Sequence, residues 1–301
     1  MKVLITGGGG FVGNYLCAHC ASEGDDVVCV DRSGPDSVDI TDRDAIQRSF
    51  EHHRPEVVYH LAALSHVGES WADPTGVLRV NVEGTGHVLN AARAAGVRRT
   101  IVVGSAEEYG QVEERDLPLK EDTPLRPSSP YGVSKIAASY LALQAHIAYG
   151  LDVVRVRAFT HTGPGQSDRF LMPALAHRIA AAEREQRDEI RVGSLEPIRD
   201  VSDVRDVVRA YRLLAERGEA GEVYNVCSGT GAAVREIADH LLAAARRPLR
   251  LTVDPELVRP VDVPRLVGDA SRLRAATGWE PEYRLDQTLA DVLESARAEE
   301  Q

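Results

Sequence analysis

Cysteine is scarce in this chain: Cys17, Cys20, Cys29 and Cys227 are its four, too few and too scattered for a disulfide framework, as in a protein of the reducing cytoplasm. Cys17 and Cys20 frame a CxxC with His19, but the trio falls in a predicted helix with no second ligand pair at zinc spacing. Buried, inert thiols are expected there, and no metal. Long apolar runs are also missing: none approaches the roughly 20 residues of a membrane span, and MKVLITGG begins in a strand pattern, so no export signal is expected. Cationic charge is outweighed, with a formal net charge of −11, which argues against nucleic acid or an anionic lipid surface as a partner. A small anion can still bind locally. No segment is of low complexity.

What is present is a chain of 301 residues with 43% hydrophobic side chains, enough for one large domain or two smaller ones. The apolar runs VLIT (3–6), VVCV (27–30), VVYHLAA (57–63), TIVVG (100–104) and LDVVRVR (151–157) alternate with helical stretches, which predicts a parallel sheet covered by helices. Gly96 and Gly150 stand where two helices should stop. EDTPLRPSSP (121–130) reads as a loop delivering the chain into a helix that begins at Pro130. Beyond about residue 158 the alternation weakens. SDVRDVVRAYRLLAERG (202–218) has helical spacing and EVYNVCSG (222–229) follows as a strand, both expected to return to the first sheet. The predicted fold is therefore α/β: a Rossmann-type doubly wound domain of residues 1–158 and 202–228, and a smaller, discontinuous α/β substrate domain of 159–201 and 229–301.

The strand VLIT runs into TGGGGFVG, where Gly7, Gly10 and Gly13 have G-x-x-G-x-x-G spacing, with Phe11 and Val12 opening the next helix. Such glycines allow a tight turn, close approach to a pyrophosphate and close helix–strand packing. Asp31 closes the second strand and can accept hydrogen bonds from an adenosine ribose, favouring NAD(H); Arg32 beside it suits the extra phosphate of NADP(H). Preference between the two stays open. Asp39, in VDIT with Ile40, stands at a distance suited to an adenine amino group, with turn capping an equal alternative. Leu61, Ala62 and Ala63, after the third strand, complete the expected cofactor wall.

YGVSK (131–135) places Tyr131 and Lys135 four residues apart on one helix face. A phenol exchanges protons poorly near neutral pH, but an ammonium and a nicotinium ring beside it favour ionisation. With lysine only at positions 2, 120 and 135, a chance pairing is improbable. Ser105 ends TIVVGS at the sheet's carboxyl edge, where open α/β folds bind ligands, and its hydroxyl can steady the same substrate oxygen. Asn81 either holds a backbone or water bridge near Lys135 or packs helices. In GSAEEYG (104–110), Glu107 is a base or a sugar clamp, and Glu108 a structural residue.

Taken together, HLAALSHVGESW, GSAEEYG, LRPSSPYGVSK, HTGPGQ, VGSLEPIRDVSDVRD, VYNVCSG, VRPVDVPRLVGD and TGWEP resemble the extended short-chain dehydrogenase/reductase family over essentially the whole chain, in its branch acting on GDP-mannose derivatives. The resemblance implies a catalytic Ser105, Tyr131 and Lys135, with Tyr131 donating a proton to a 4-keto oxygen as hydride arrives. It implies substrate contacts at Ser65, Ala106, Glu107 and Thr160, diphosphate contacts at Arg199 and Arg259, whose guanidinium forks suit phosphate, and a homodimer through helices near 75–95 and 130–149. Three positions depart from the pattern: Thr160 replaces a common Asn, Val201 an aromatic residue, and Ala106 a Ser or Asp.

The last departure bears on the reaction. A 4,6-dehydratase needs a base, aligned with Glu107, and an acid, aligned with Ala106, whose methyl group has no proton to give. NAD(P)H-dependent reduction of a nucleotide-linked 4-keto-6-deoxyhexose, GDP-4-keto-6-deoxy-D-mannose to GDP-D-rhamnose, is the expected activity. A dehydratase or 4-epimerase is the alternative, and a dinucleotide-sensing module, which has no need of Tyr131 or Lys135, is disfavoured.

Overall fold

The five apolar runs all become strands of one sheet. The structure, a computed structural model, describes residues 1–34, 37–257 and 263–299. The first half runs β1 (Lys2–Thr6), α1 (Phe11–Ser22), β2 (Asp26–Val30), α2 (Arg43–His53), β3 (Val57–His60), α3 (Val67–Ser70), α4 (Pro74–Leu78), a π-helical turn (Arg79–Glu83), α5 (Gly84–Ala94), β4 (Arg99–Ser105), α6 (Pro130–Tyr149) and β5 (Val153–Ala158). The second continues β6 (Thr160–Thr162), α7 (Leu171–Arg184), β7 (Glu189–Val192), β8 (Ile198–Asp203), α8 (Val204–Arg217), β9 (Val223–Val226), β10 (Gly231–Ala233), α9 (Val234–Ala243), β11 (Arg250–Val253), β12 (Arg265–Leu266), α10 (Ser271–Thr277) and α11 (Leu285–Glu299).

The main sheet is parallel throughout in the order β2-β1-β3-β4-β5-β9. Strand order reverses between β1 and β3, which opens a crevice above their carboxyl ends. Successive side chains serve opposite faces: Ile5, Tyr59 and Ile101 meet α1 and α8, while Leu4, Val58 and Val102 meet α2, α5 and α6. Both faces are buried, which is why these strands read as continuous apolar runs. Helix α6 starts as its sequence dictates, with Pro130 in the first turn and Ser129 Oγ accepting the Gly132 amide at 3.0 Å, and Gly150 ends it in the left-handed region.

The remaining strands are short: β10, β8 and β12 form a sheet joined by β6, and β11 pairs with β7. Helices α7, α9 and α11 pack there around a separate apolar cluster that includes Leu175, Ile179, Ile237 and Leu293. Val201 lies in this cluster, so a small side chain suits that position. Leu266, Leu273 and Trp279 pack back into the core of the main sheet. Asp200, 1% exposed, ties these parts together: its carboxylate accepts the amides of Ser228 (2.8 Å), Gly229 (2.9 Å) and Gly268 (3.2 Å).

The cysteines correct the expectation of free thiols. Cys17 of α1 and Cys29 of β2 are joined by a disulfide, with Cα atoms 6.6 Å apart, because α1 packs against β2 and brings residues 12 apart in sequence together. Cys20 and Cys227 are free and buried, and burial pushes the Cys20 thiol up to about 12. No helix among the described residues is long and apolar enough to cross a membrane, and no cluster of three His, Cys, Asp or Glu side chains able to hold a metal occurs among them.

Candidate active site

A cleft of about 600 Å³ opens at the carboxyl edge of the sheet. Its floor at one end is the glycine loop. Gly7 has φ +75°, and a Cβ there would sit 2.7 Å from the Ala62 amide nitrogen; a Cβ on Gly13 would collide with the Gly7 carbonyl oxygen. Gly10 caps α1 without any side-chain hydrogen bond, so the amino end of a 12-residue helix, at Phe11 and Val12, faces the cleft. This cradle, closed to side chains and rich in amide donors, fits a pyrophosphate.

At the end of β2 the Asp31 carboxylate accepts the Gly9 amide at 3.0 Å and the Arg32 amide at 2.7 Å, so it is fixed at the rim with Arg32 exposed beside it. Asp39 accepts both the amide and the hydroxyl of Thr41 at 2.8 Å, the turn-capping role, and those bonds hold its carboxyl below the usual range. It also lines the cleft, as do Ile40, Leu61, Ala62 and Ala63.

Ser105, Tyr131 and Lys135 converge where β4 meets α6. Tyr131 and Lys135 are 7% and 6% exposed, and the Tyr131 side chain hydrogen-bonds that of Ser105. Lys135 Nζ donates to the Val103 carbonyl at 2.8 Å and lies 5.9 Å from the Tyr131 ring centroid. Burial pushes the Tyr131 phenol well above its usual range, Ser105 opposes the shift, and the Glu107 and Glu108 carboxylates add to it. The YGVSK spacing anticipates an ionised phenol once a nicotinium ring lies beside it; in the chain by itself burial dominates and favours the neutral form. The Lys135 ammonium is itself pushed down to about 8 by burial, with Glu108 opposing.

GSAEEYG forms a short 3₁₀ turn in which Ser105 Oγ accepts the Glu107 amide at 3.2 Å. Ala106 and Glu107 line the cleft. Glu108 points the other way, fully buried, accepting the Ser105 amide at 3.0 Å and Arg157 Nε at 2.9 Å. Arg157 continues to the Tyr109 hydroxyl and the Glu121 carbonyl, and Tyr109 donates to Asn225 Oδ1 at 2.7 Å.

Asn81, in the π-helical turn, bridges the Leu64 backbone to the residue before Lys135: Oδ1 accepts the Leu64 amide at 2.8 Å, and Nδ2 donates to its carbonyl at 3.0 Å and to Ser134 Oγ at 2.9 Å. It thereby clips the loop that bears Ser65 to α6. Ser65 and Thr160 line the far end of the cleft. Arg199, on β8, does not line it and donates to its own Ile198 carbonyl, and Arg259 lies outside the described residues.

His161, Gln166, Ser167 and Phe170 also line the far end, and sequence reasoning does not single them out. HTGPGQ, which begins in β6, is the one signal for His161 and Gln166; Ser167 and Phe170 lie just beyond it. A strap crosses this end: His66 Nε2 donates to the Arg169 carbonyl at 3.3 Å, Glu69 pairs with Arg169, and the His66 and Phe170 rings meet edge to face at 5.9 Å.

Residues 35–292 match the family model described as GDP-mannose 4,6 dehydratase. The chain is 37% identical over 294 residues to the GDP-6-deoxy-D-mannose reductase of Pseudomonas aeruginosa, covering 97% of this chain and 96% of that protein. It is 32% identical to a UDP-glucose 4-epimerase of Streptomyces lividans, over 93% of this chain and 91% of the other. Among solved structures, RMD from Pseudomonas aeruginosa complexed with NADPH superposes with a TM-score of 0.91 at 35% identity, over 99% of this chain and 100% of that one. The Thermus thermophilus UDP-glucose 4-epimerase complex with NAD gives 0.89 at 28% identity, over 99% of each.

Proposed function

We propose, for a chain that belongs to the GDP-mannose 4,6 dehydratase family within the extended short-chain dehydrogenases/reductases, that it is an oxidoreductase that reduces the 4-keto group of a GDP-linked 4-keto-6-deoxyhexose with NAD(P)H, yielding GDP-D-rhamnose from GDP-4-keto-6-deoxy-D-mannose. The observation that carries this reading is Ala106, buried at the cleft between Ser105 and Glu107 where a dehydratase needs a proton donor. The glycine cradle takes the cofactor's pyrophosphate, and Asp31 its adenosine ribose, with Arg32 placed for a 2′-phosphate. Bound there, reduced nicotinamide supplies the hydride.

In this reading the chain's own residues manage the proton. Tyr131, neutral because it is buried, donates its phenolic proton to the 4-keto oxygen, while Ser105 orients both. Lys135 places positive charge near the developing phenolate. Glu107, Ser65 and Thr160 hydrogen-bond sugar hydroxyls, and Arg259 is assigned to the diphosphate; Arg199, which does not line the cleft, is not. Residues 159–201 and 229–301 form the substrate domain, a division supported by the separate cluster of α7, α9 and α11, except that Leu266, Leu273 and Trp279 pack into the core of the main sheet. A homodimer through α4–α5 and α6 is supported by the exposed Leu78, Val133, Tyr140, Ile147 and Tyr149. The protein is assigned to the cytoplasm.

Glu107 alone favours the second reading, a dehydratase. The two separate on net cofactor use: a reductase consumes NAD(P)H with the keto sugar, whereas a dehydratase forms a 4-keto product from GDP-mannose and returns its hydride.

A further inference from the structure

Tyr211 sits two turns into α8, fully buried against the main sheet. Helix α8 follows β8 and leads into β9, which runs parallel with the rest of the sheet, so α8 begins at the sheet's carboxyl edge. Its first residue, Val204, lies there against Gly163, beside Phe11 of the glycine loop. Helical side chains lean toward their helix's amino end, so the Tyr211 ring points up toward the cleft. It lines that cleft together with Val103, Ala158 and Phe159.

Its hydroxyl has no partner among the described residues. The other tyrosines near it differ: Tyr109 donates to Asn225, Tyr15 to the Pro164 carbonyl, and Tyr131 bonds Ser105. Tyr59, buried in the same core, has its hydroxyl against the Cys20 thiol and does not line the cleft. Of the buried side-chain polar atoms without a partner among the described residues, the Tyr211 hydroxyl is the one on a cleft-lining residue. An unsatisfied buried hydroxyl is unfavourable unless a ligand completes it. Burial pushes the Tyr211 phenol up and the nearby Tyr131 phenol adds to the shift, so the two share one neighbourhood.

We infer that Tyr211 is a positioning residue for the dinucleotide: from the floor of the cleft its hydroxyl hydrogen-bonds a polar group on the nicotinamide half of the bound cofactor. That half is the one concerned because the glycine cradle and Asp31 take the pyrophosphate and adenosine, and Tyr211 lies on the Tyr131 side. The inference rests on the cofactor part of the reading above and not on the reductase assignment.

The test is titration of the full-length protein with NADH and NADPH, without sugar, by fluorescence, with thermal melts of the free and loaded protein. Tyr211→Phe is expected to weaken the tighter-bound cofactor about 5- to 10-fold, the loss of one hydrogen bond. Its free form is expected to melt at or above the wild-type temperature, and cofactor is expected to raise the melting temperature less than in wild type. Tyr59→Phe, the matched control, is expected to leave affinity unchanged. Affinity within twofold of wild type, a free Tyr211→Phe protein that melts lower or fails to fold, or a wild type that binds neither cofactor overturns the inference. Because no sugar is present, none of these results depends on whether the reductase reading holds.

Discussion

Glu108 Oε2 accepts from Arg157 Nε at 2.9 Å, with both side chains buried directly behind the strand tip that bears Ser105. The other carboxylate oxygen holds the Ser105 amide, so an ion pair of the core fixes the backbone from which a proposed catalytic hydroxyl projects. Burial pushes the Glu108 carboxyl up and the guanidinium opposes this. Burial also works against the Arg157 charge, but Tyr109 and Glu108 outweigh it and the guanidinium stays charged.

Breaking the pair from one side leaves an uncompensated buried charge. Glu108→Leu or Arg157→Met alone is expected to lower the unfolding free energy by about 3–5 kcal/mol in urea melts, and the double variant to recover most of it. Single variants as stable as wild type would contradict the role given to the pair.

Lys135 is expected to set an alkaline limb. Its folded pKa of about 8 means the ammonium is present below that pH and lost above it, so kcat/KM in the reductive direction should fall above about pH 8. Glu108→Gln removes the charge that raises this pKa and is expected to move the limb to lower pH; an unmoved limb argues against the coupling. For stability the sign is the opposite of an ion-paired lysine's. A folded pKa below the ordinary 10.5 disfavours the folded state while the group is charged, so Lys135 adds stability as pH rises from about 8 toward 10.5.

Tyr131→Phe keeps the ring and removes the proton donor. A drop in kcat of roughly 10²- to 10⁴-fold is expected, with NAD(P)H affinity nearly intact by fluorescence titration. Turnover close to wild type would remove Tyr131 from the mechanism.

Glu107→Gln separates sugar ligand from base. As a ligand it should raise KM for the keto sugar several-fold and leave kcat within about tenfold, the scale of one hydrogen bond. A kcat loss on the order of 10³ or more would make Glu107 an essential acid or base.

Much of the fold is legible in the amino-acid order. VLIT, VVYH and TIVVG stand out because buried parallel strands are apolar on both faces, and Pro130 and Gly150 mark both ends of α6. The short strands β6, β8, β10 and β12, two to six residues each, carry no periodicity to detect. The Cys17–Cys29 bond depends on how α1 lies on β2, which spacing alone does not give. The sequence puts Asn81 near the right helix, but its partner, Leu64, follows from the π-helical turn. Tyr211 in the sequence is one more residue on the buried stripe of an amphipathic helix, and only the orphan hydroxyl at the cleft distinguishes it. GSAEEYG is informative because its chemistry is local: Ala106 and Glu107 reach the cleft, and Glu108 turns into the core.

The reductase reading is tested most directly by net cofactor oxidation in the purified protein supplied with GDP-4-keto-6-deoxy-D-mannose and NAD(P)H. Equimolar loss of NAD(P)H and keto sugar, with no 4-keto product from GDP-mannose, is expected. No net oxidation, together with a 4-keto product from GDP-mannose, would contradict it and make Glu107 the base of a dehydratase.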